Sequence, residues 1–408
     1  MSRKLLNGPP IDVFMNKKRF NDLLIAMILC ENGISDLLFI PGRVPQMSCY
    51  GKLRSYTSDL IAEPVTTEMT AQLSDVLIDG NELVAENYRK NGSCDCSYSV
   101  PGVARFRVNI YSRGGHRAIV MRKLSNTIPQ LQDLKVPPVF DQIIHENAGL
   151  VFITGATGTG KTTTLAAILN EINLNQDIHV ISLEDPIEYL HEPIQATFSQ
   201  REYGKDYFDP AVGLKAALRQ SPHTIMVGEI RDRETMEVAI TAGETGHLVF
   251  SSLHTINASQ TINRVLGMFD KGEESLMRQR LADALRWVVS QRLVPRLDGG
   301  LQLVTEVMGN NMRSREVIIS GESEKHNLHE IIESSVTPWG WHSFEQSLIN
   351  AVLAGDIAPE TALHYANHKT QMQQALDKYT AGRVAASKHK MSDTVMFDKK
   401  LALAETPA

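Results

Sequence analysis

The sequence predicts an α/β protein of more than one domain, and three observations carry that expectation. Its 408 residues exceed what a single hydrophobic core ordinarily organises, so two domains and a tail are expected. The stretch Gly155-Ala-Thr-Gly-Thr-Gly-Lys161-Thr162 satisfies G-x-x-x-x-G-K-[ST], and it sits between a short apolar, β-branched run at 150–154 and a helical stretch at 162–173. Strand-like runs at 151–154, 179–183, 224–227 and 248–252 alternate with helical stretches, the pattern of a parallel sheet covered by helices.

Composition narrows the class. The hydrophobic fraction of 42% is that of an ordinary globular chain, and a net charge of −6 offers no global attraction to nucleic acid or anionic lipid. The apolar run from Leu23 to Cys30 is far short of the roughly 20 residues a membrane span needs. It also lacks the flanks of a secretory signal, so a cytoplasmic protein is expected. Cys30, Cys49, Cys94 and Cys96 contain no C-x₂-C pair, which argues for unlinked thiols in a reducing compartment and against a cysteine zinc site.

Taken in order, residues 1–16 lack periodicity, contain Pro9-Pro10 and read as a loose arm. From Phe20 through Leu23, Leu24, Met27 and Ile28 the apolar spacing is that of a helix, which Gly33 ends. Strand-like units at 37–40 and 47–50 follow, then helical stretches at 67–80 and 82–88. Residues 97–110 and 116–124 read as paired strands around Arg113-Gly-Gly115, completing an α+β domain over 17–125. Arg105, Arg107, Arg113, Arg117, Arg122 and Lys123 crowd that hairpin, and alternation puts Arg105 and Arg107 on one face. Such a face is either a solvated edge that discourages aggregation or a set of cations that reaches another subunit's bound phosphates. Residues 126–138, with Pro129, Pro137 and Pro138, read as an interdomain linker. The second domain then spans 139–375, with helices expected from Trp287 onward, and the Ala-, Ser- and Lys-rich segment 376–408 reads as a disordered tail.

The glycine-rich loop carries the chemistry. Gly155, Ala156, Thr157, Gly158, Thr159 and Gly160 let successive backbone N–H groups curl around an anion at a helix N-terminus. Lys161 then reaches the β- and γ-phosphates, the Thr162 hydroxyl ligates Mg²⁺, and Thr163 completes the expected cofactor-binding set. Later strands end in Glu184-Asp185-Pro186, in Gly228-Glu229 and, after His247, in His254-Thr255, where ligands of open parallel sheets lie. Glu229 stands in the usual place of an acid that orients the attacking water, and Glu184 competes for that role.

The four boxes GATGTGKTTTLAA, SLEDPIEYLHE, IMVGEIRDRET and TAGETGHLVFSSLHT resemble the Walker A, Asp box, Walker B and His box of secretion-superfamily ATPases. Within that superfamily the chain is similar to type IV pilus retraction motors of the PilT/PilU group. Ile34-Ser-Asp36-Leu37, residues 101–109 and Phe344-Glu-Gln-Ser-Leu348 extend the likeness over roughly 20–375. The resemblance implies a PAS-like N-terminal domain, a RecA-like ATPase domain with C-terminal helices, and a homo-hexamer with ATP between the domains. It implies Lys161 and Thr162 as phosphate and Mg²⁺ residues, Glu229 and Glu184 as catalytic acids, and His247 and His254 as the His box. Arg105, Arg107 and Arg122 match the arginine-bearing strands. The implied partners are an inner-membrane pilus platform protein at the cytoplasmic face and a second retraction ATPase, with no direct nucleic acid.

Three departures accompany the likeness. Leu38 stands where the N-terminal motif usually has histidine, Ser221 and His223 replace common acids, and Ser314-Arg-Glu-Val-Ile-Ile-Ser320 replaces the arginine-rich signature of strong retraction motors. They point to an accessory retraction ATPase. A pilus-assembly, DNA-uptake or secretion ATPase, a weakly hydrolysing ring partner and a small-molecule P-loop kinase are the alternatives.

Overall fold

A computed structural model describes residues 16–378 other than 126, 325, 337 and 338. The arm expected at 1–16 and the tail expected at 376–408 therefore lie almost wholly outside the described residues. The first helix, α1 (Lys17–Leu29), is capped by the Asn16 side chain, which accepts the Arg19 N–H at 2.9 Å. Phe20, Leu23, Leu24, Met27 and Ile28 form its buried stripe, as their spacing requires. There follow β1 (Ile34–Phe39), β2 (Gln46–Cys49), β3 (Lys52–Ser55), α2 (Thr67–Ile78), α3 (Glu82–Asn91), β4 (Ser93–Val100), β5 (Ala104–Arg113) and β6 (His116–Lys123). The six strands make an antiparallel sheet in the order β3-β2-β1-β6-β5-β4.

The stretch 97–110, expected as one strand, is two. Gly102, at φ +70, reverses the chain so that Val100 pairs with Ala104. Pro101-Gly102 was the turn signal, overridden by the apolar run around it. On β5, Ala104, Phe106, Val108 and Ile110 are buried while Arg105 and Arg107 take the opposite face. All four cysteines are free, and burial pushes the Cys94 thiol up to about 11 and the Cys96 thiol up to about 12.

Beyond these come α4 (Phe140–Ile144), β7 (Gly149–Thr154), α5 (Lys161–Asn175), β8 (His179–Glu184), β9 (Thr197–Glu202), α6 (Pro210–Ala217), β10 (Thr224–Val227), α7 (Arg233–Glu244) and β11 (Leu248–Leu253). There follow α8 (Ala258–Leu266), α9 (Glu274–Ala284), β12 (Leu285–Pro295), β13 (Leu301–Gly309), α10 (Met312–Ser320), α11 (Leu328–Glu333), α12 (Phe344–Leu353) and α13 (Pro359–Tyr365), and a last helical stretch covers 369–378.

By contact the described residues divide into one unit from within 1–130 and 166–229 and another from within 131–165 and 230–408. In the first, β8 lies between β10 and β9 and is parallel to both. In the second, β7 is parallel to β11 on one side and to β12 on the other, and β13 runs antiparallel to β12. Strands β7, β10 and β11 are buried at every position, which is why they read as continuous apolar runs.

The region from Trp287, expected to be helical, opens instead on the β12–β13 hairpin. Trp287-Val288-Val289 favours a pleated strand, and Gly299 and Gly300, at φ +89 and +78, close the turn. The Trp287 indole donates to Glu146 Oε1 at 2.8 Å. Trp341 is fully buried over Gly309, where an added Cβ would lie 2.7 Å from the indole. No helix among the described residues is long and apolar enough to cross a membrane.

Candidate active site

The loop between β7 and α5 owes its shape to its glycines. Gly155, Gly158 and Gly160 have φ of +145, +82 and +85, conformations that cost an L side chain free energy. At Gly155 space is closed as well, since an added Cβ would lie 2.5 Å from Thr159 Oγ1 and 2.7 Å from the Gln291 carbonyl. The loop is braced internally, with Thr159 Oγ1 donating to the Ala156 carbonyl at 2.9 Å. Behind it, Thr154 Oγ1 donates to Ser290 Oγ at 2.9 Å, and Gln291 Nε2 donates to Thr164 Oγ1 at 2.8 Å. These buried bonds fasten the strand before the loop and the first turn of α5 to β12.

Lys161 is buried and bends back over the loop. Its Nζ donates to the carbonyls of Gly155 at 2.8 Å and Ala156 at 3.0 Å, and it lies 3.4 Å from His254 Nδ1. Thr162 and Thr157 are exposed, and Thr163 is half-buried. A cation and an exposed hydroxyl therefore meet at the N-terminus of a helix of fifteen residues, an arrangement that suits a polyphosphate with a divalent ion.

The two histidines part company. His254 follows β11 directly and arrives beside Lys161. His247 precedes the same strand, and about 3.3 Å per residue puts it about 20 Å away, at the end opposite the loop. There its N–H donates to the Ala242 carbonyl at 3.0 Å, tying it to the last turn of α7. The geometry thus does not bring His247 to the P-loop of its own chain.

The acids lie in the first unit. Glu184, the last residue of β8, is buried, and that burial pushes its carboxyl up to about 7 against the pull of its hydrogen bonds. Ser182 Oγ donates to its Oε1 at 2.6 Å and Gln200 Nε2 at 3.1 Å. Glu229, half-buried, stands two residues beyond β10, where the Gly228 N–H donates to the Leu183 carbonyl at 2.9 Å.

Arginines 105, 107 and 122 differ in what holds them. Arg122 is exposed and its Nε donates to Asp36 Oδ1 at 3.0 Å. Arg107 pairs across the strands with Arg122 and lies 4.0 Å from Asp95. Arg105 is buried to 13% exposure, which lowers its pKa from the ordinary guanidinium value; its Nη2 is 3.8 Å from Glu202 Oε2 and its Nη1 has no hydrogen-bond partner among the described residues. Glu202 is the residue that sequence reasoning missed. It also accepts Ser97 Oγ at 2.6 Å and Lys205 Nζ at 2.7 Å, and its Oε2 accepts the Ile187 N–H at 3.3 Å. Its strand, β9, reads Thr-Phe-Ser-Gln-Arg-Glu and carries no apolar alternation to announce it. Ser97, Asp185 and Glu202 also line a cavity of about 680 Å³ in this unit.

Comparisons with known proteins agree with the four boxes. The family model described as "Type II/IV secretion system protein" matches residues 68–337. A "Twitching motility protein" of Neisseria gonorrhoeae is 36% identical over 330 residues, 80% of this chain and 86% of its own length. The "Type IV pilus ATPase PilU" of Pseudomonas aeruginosa is 36% identical over 355 residues, 87% of this chain and 90% of its own. Among solved structures, the pilus retraction motor PilT with bound ADP aligns with a TM-score of 0.77 at 30% identity, covering 88% of this chain and 100% of that one. With the loop, its flanking strand and helix, and likeness to these relatives over most of its length, the chain belongs to the type II/IV secretion system protein family.

Proposed function

We propose that this chain hydrolyses ATP within a homo-hexameric ring and drives retraction of type IV pili at the cytoplasmic face of the inner membrane, where a pilus platform protein receives the motion. The observation that carries the reading is the loop at 155–162, with three glycines at positive φ, Lys161 bent over its rim and Thr162 exposed at the start of α5. Likeness to PilU and to the ADP-bound PilT structure supports the nucleotide and the task. In this reading 17–125 is a PAS-like domain, 126–138 the hinge that turns nucleotide state into motion and 139–375 the RecA-like domain.

The loop N–H groups and Lys161 bind the phosphates. Thr162 would hold Mg²⁺, which when bound neutralises phosphate charge. Glu229 orients the attacking water, Glu184 is the alternative base, and His254 sets the position of Lys161. Arg105, Arg107 and Arg122 reach the nucleotide of an adjoining subunit, where an arginine at the transition state is worth roughly 10³ to 10⁵ in rate. His247 has no place in this set.

An accessory role beside a second retraction ATPase is favoured by α10, whose Ser314–Ser320 stretch lacks the arginine-rich character of strong motors. The test is turnover by the purified chain alone and mixed with a second retraction ATPase. ATP hydrolysis abolished by Lys161→Ala, with lost retraction and surplus surface pili on gene deletion, is the expected result. Turnover unaffected by that change overturns the assigned chemistry, and bald cells overturn retraction in favour of assembly.

A further inference from the structure

Far from the loop in sequence, α11 and α12 bring together three metal-ligating side chains. His329 and Glu333 stand at i and i+4 on α11, and Glu345 is the second residue of α12. The ligand atoms of all three lie within 4.8 Å of one another. Glu345 is 3% exposed; its Oε1 accepts the N–H groups of Asn367 at 2.8 Å and His368 at 3.0 Å. Among the described residues its buried Oε2 has no hydrogen-bond partner, and neither has the buried His329 Nε2.

Buried polar atoms are nearly always satisfied, and leaving both a carboxylate oxygen and an imidazole nitrogen unmet in one cluster is costly. A proton on His329 would draw it toward Glu333 Oε1, 3.6 Å away, but would leave Glu345 Oε2 unmet. Arg292 is near enough to attract Glu345 electrostatically, but its Nη1 and Nη2 donate to the Tyr365 carbonyl and Asn367 Oδ1, each at 2.7 Å, and give Glu345 Oε2 no hydrogen bond. We propose that His329, Glu333 and Glu345 bind a divalent transition-metal ion of the zinc type and so clamp α11 to α12. One nitrogen and two carboxylate donors suit such an ion better than Mg²⁺ or Ca²⁺, which prefer oxygen alone. Outer contacts orient the ligands. Ser343 Oγ donates to Glu333 Oε1 at 3.1 Å, and the His368 ring lies 4.8 Å from the His329 ring.

The test uses the full chain, freed of metal with a chelator and without nucleotide, titrated with Co²⁺ and then Zn²⁺. One equivalent of Co²⁺ per chain is expected to produce a visible d–d band that Zn²⁺ abolishes, and Zn²⁺ is expected to raise Tm. His329→Ala and Glu333→Gln, at half-buried positions, are each expected to weaken binding by ~10-fold or more. Glu345→Gln is secondary because its site is fully buried. Absence of one-to-one uptake at about 100 μM metal overturns the proposal, as does equal uptake by wild type and both variants.

Discussion

The P-loop and the arginine-bearing face of β5 and β6 are both polar surfaces carried on strands, yet they are built in opposite ways. The loop is made of backbone. Its glycines, its carbonyls and the first turn of α5 fix the shape, and Lys161 is held by main-chain atoms of the loop itself. The arginine face is made of side chains, each leaning on an acid: Arg122 on Asp36, Arg107 on Asp95 and Arg105 on Glu202. A backbone-built site is complete within one chain, whereas guanidinium groups can exchange an acid for a phosphate when another subunit offers one.

The sharpest test of that contrast is Lys161→Ala, expected to lower kcat more than ~10³-fold with unchanged circular dichroism, as steady-state assays would register. Arg105→Ala is expected to lower kcat by about 10³-fold, the low end of what an arginine at the transition state contributes. Mixing Lys161→Ala with Arg105→Ala protomers should restore part of the activity, because mixed interfaces of one orientation set an intact Lys161 against an intact Arg105; mixed rings as inert as their parents would overturn action of Arg105 on a neighbour's nucleotide.

Gly155→Ala probes the backbone side. With φ at +145 and two close contacts, it should destabilise the fold by about 3 kcal/mol in denaturant melts. Gly158→Ala, with nothing within 4 Å of the added Cβ, should cost about 1 kcal/mol, from φ alone.

Between those two in size is Glu184→Gln. The carboxyl ionises near 4.5 in an unfolded chain and near 7 in the fold, so the fold retains that proton across the window and loses stability as pH rises from about 4.5 past 7. The glutamine variant should lack that loss, gaining about 2 kcal/mol on wild type at pH 8 in melts followed against pH. If Glu184 is the base, kcat in wild type should also rise through pH 7. Smallest of all, Arg122→Ala removes an exposed ion pair and should shift stability by about 0.5 kcal/mol or less. A large fall in kcat without that loss would assign Arg122 to the transition state.

How much of this was legible depended on how local each signal is. Strand, loop and helix around Gly155–Thr162 could be read because eight contiguous residues specify backbone shape and ligand together. His254 and His247 looked equivalent in sequence and separated only when β11 put a strand's length between them. Glu202 was invisible because β9 is polar, and its partners Ser97 and Arg105 come from β4 and β5, about a hundred residues earlier. The β12–β13 hairpin was misread because a continuous apolar run does not distinguish a buried strand from a buried helix. His329, Glu333 and Glu345 escaped notice for a related reason, since the third ligand joins the other two only through the packing of α12.

The placement of the indoles has an optical consequence. Trp287, Trp339 and Trp341 are the chain's three tryptophans, and all belong to the second unit, one bonded to Glu146 and one sealed over Gly309. Ultraviolet emission excited at the red edge will therefore report on that half alone. Any rearrangement of the sheet bearing Arg105 will stay dark until a fluorophore is introduced there.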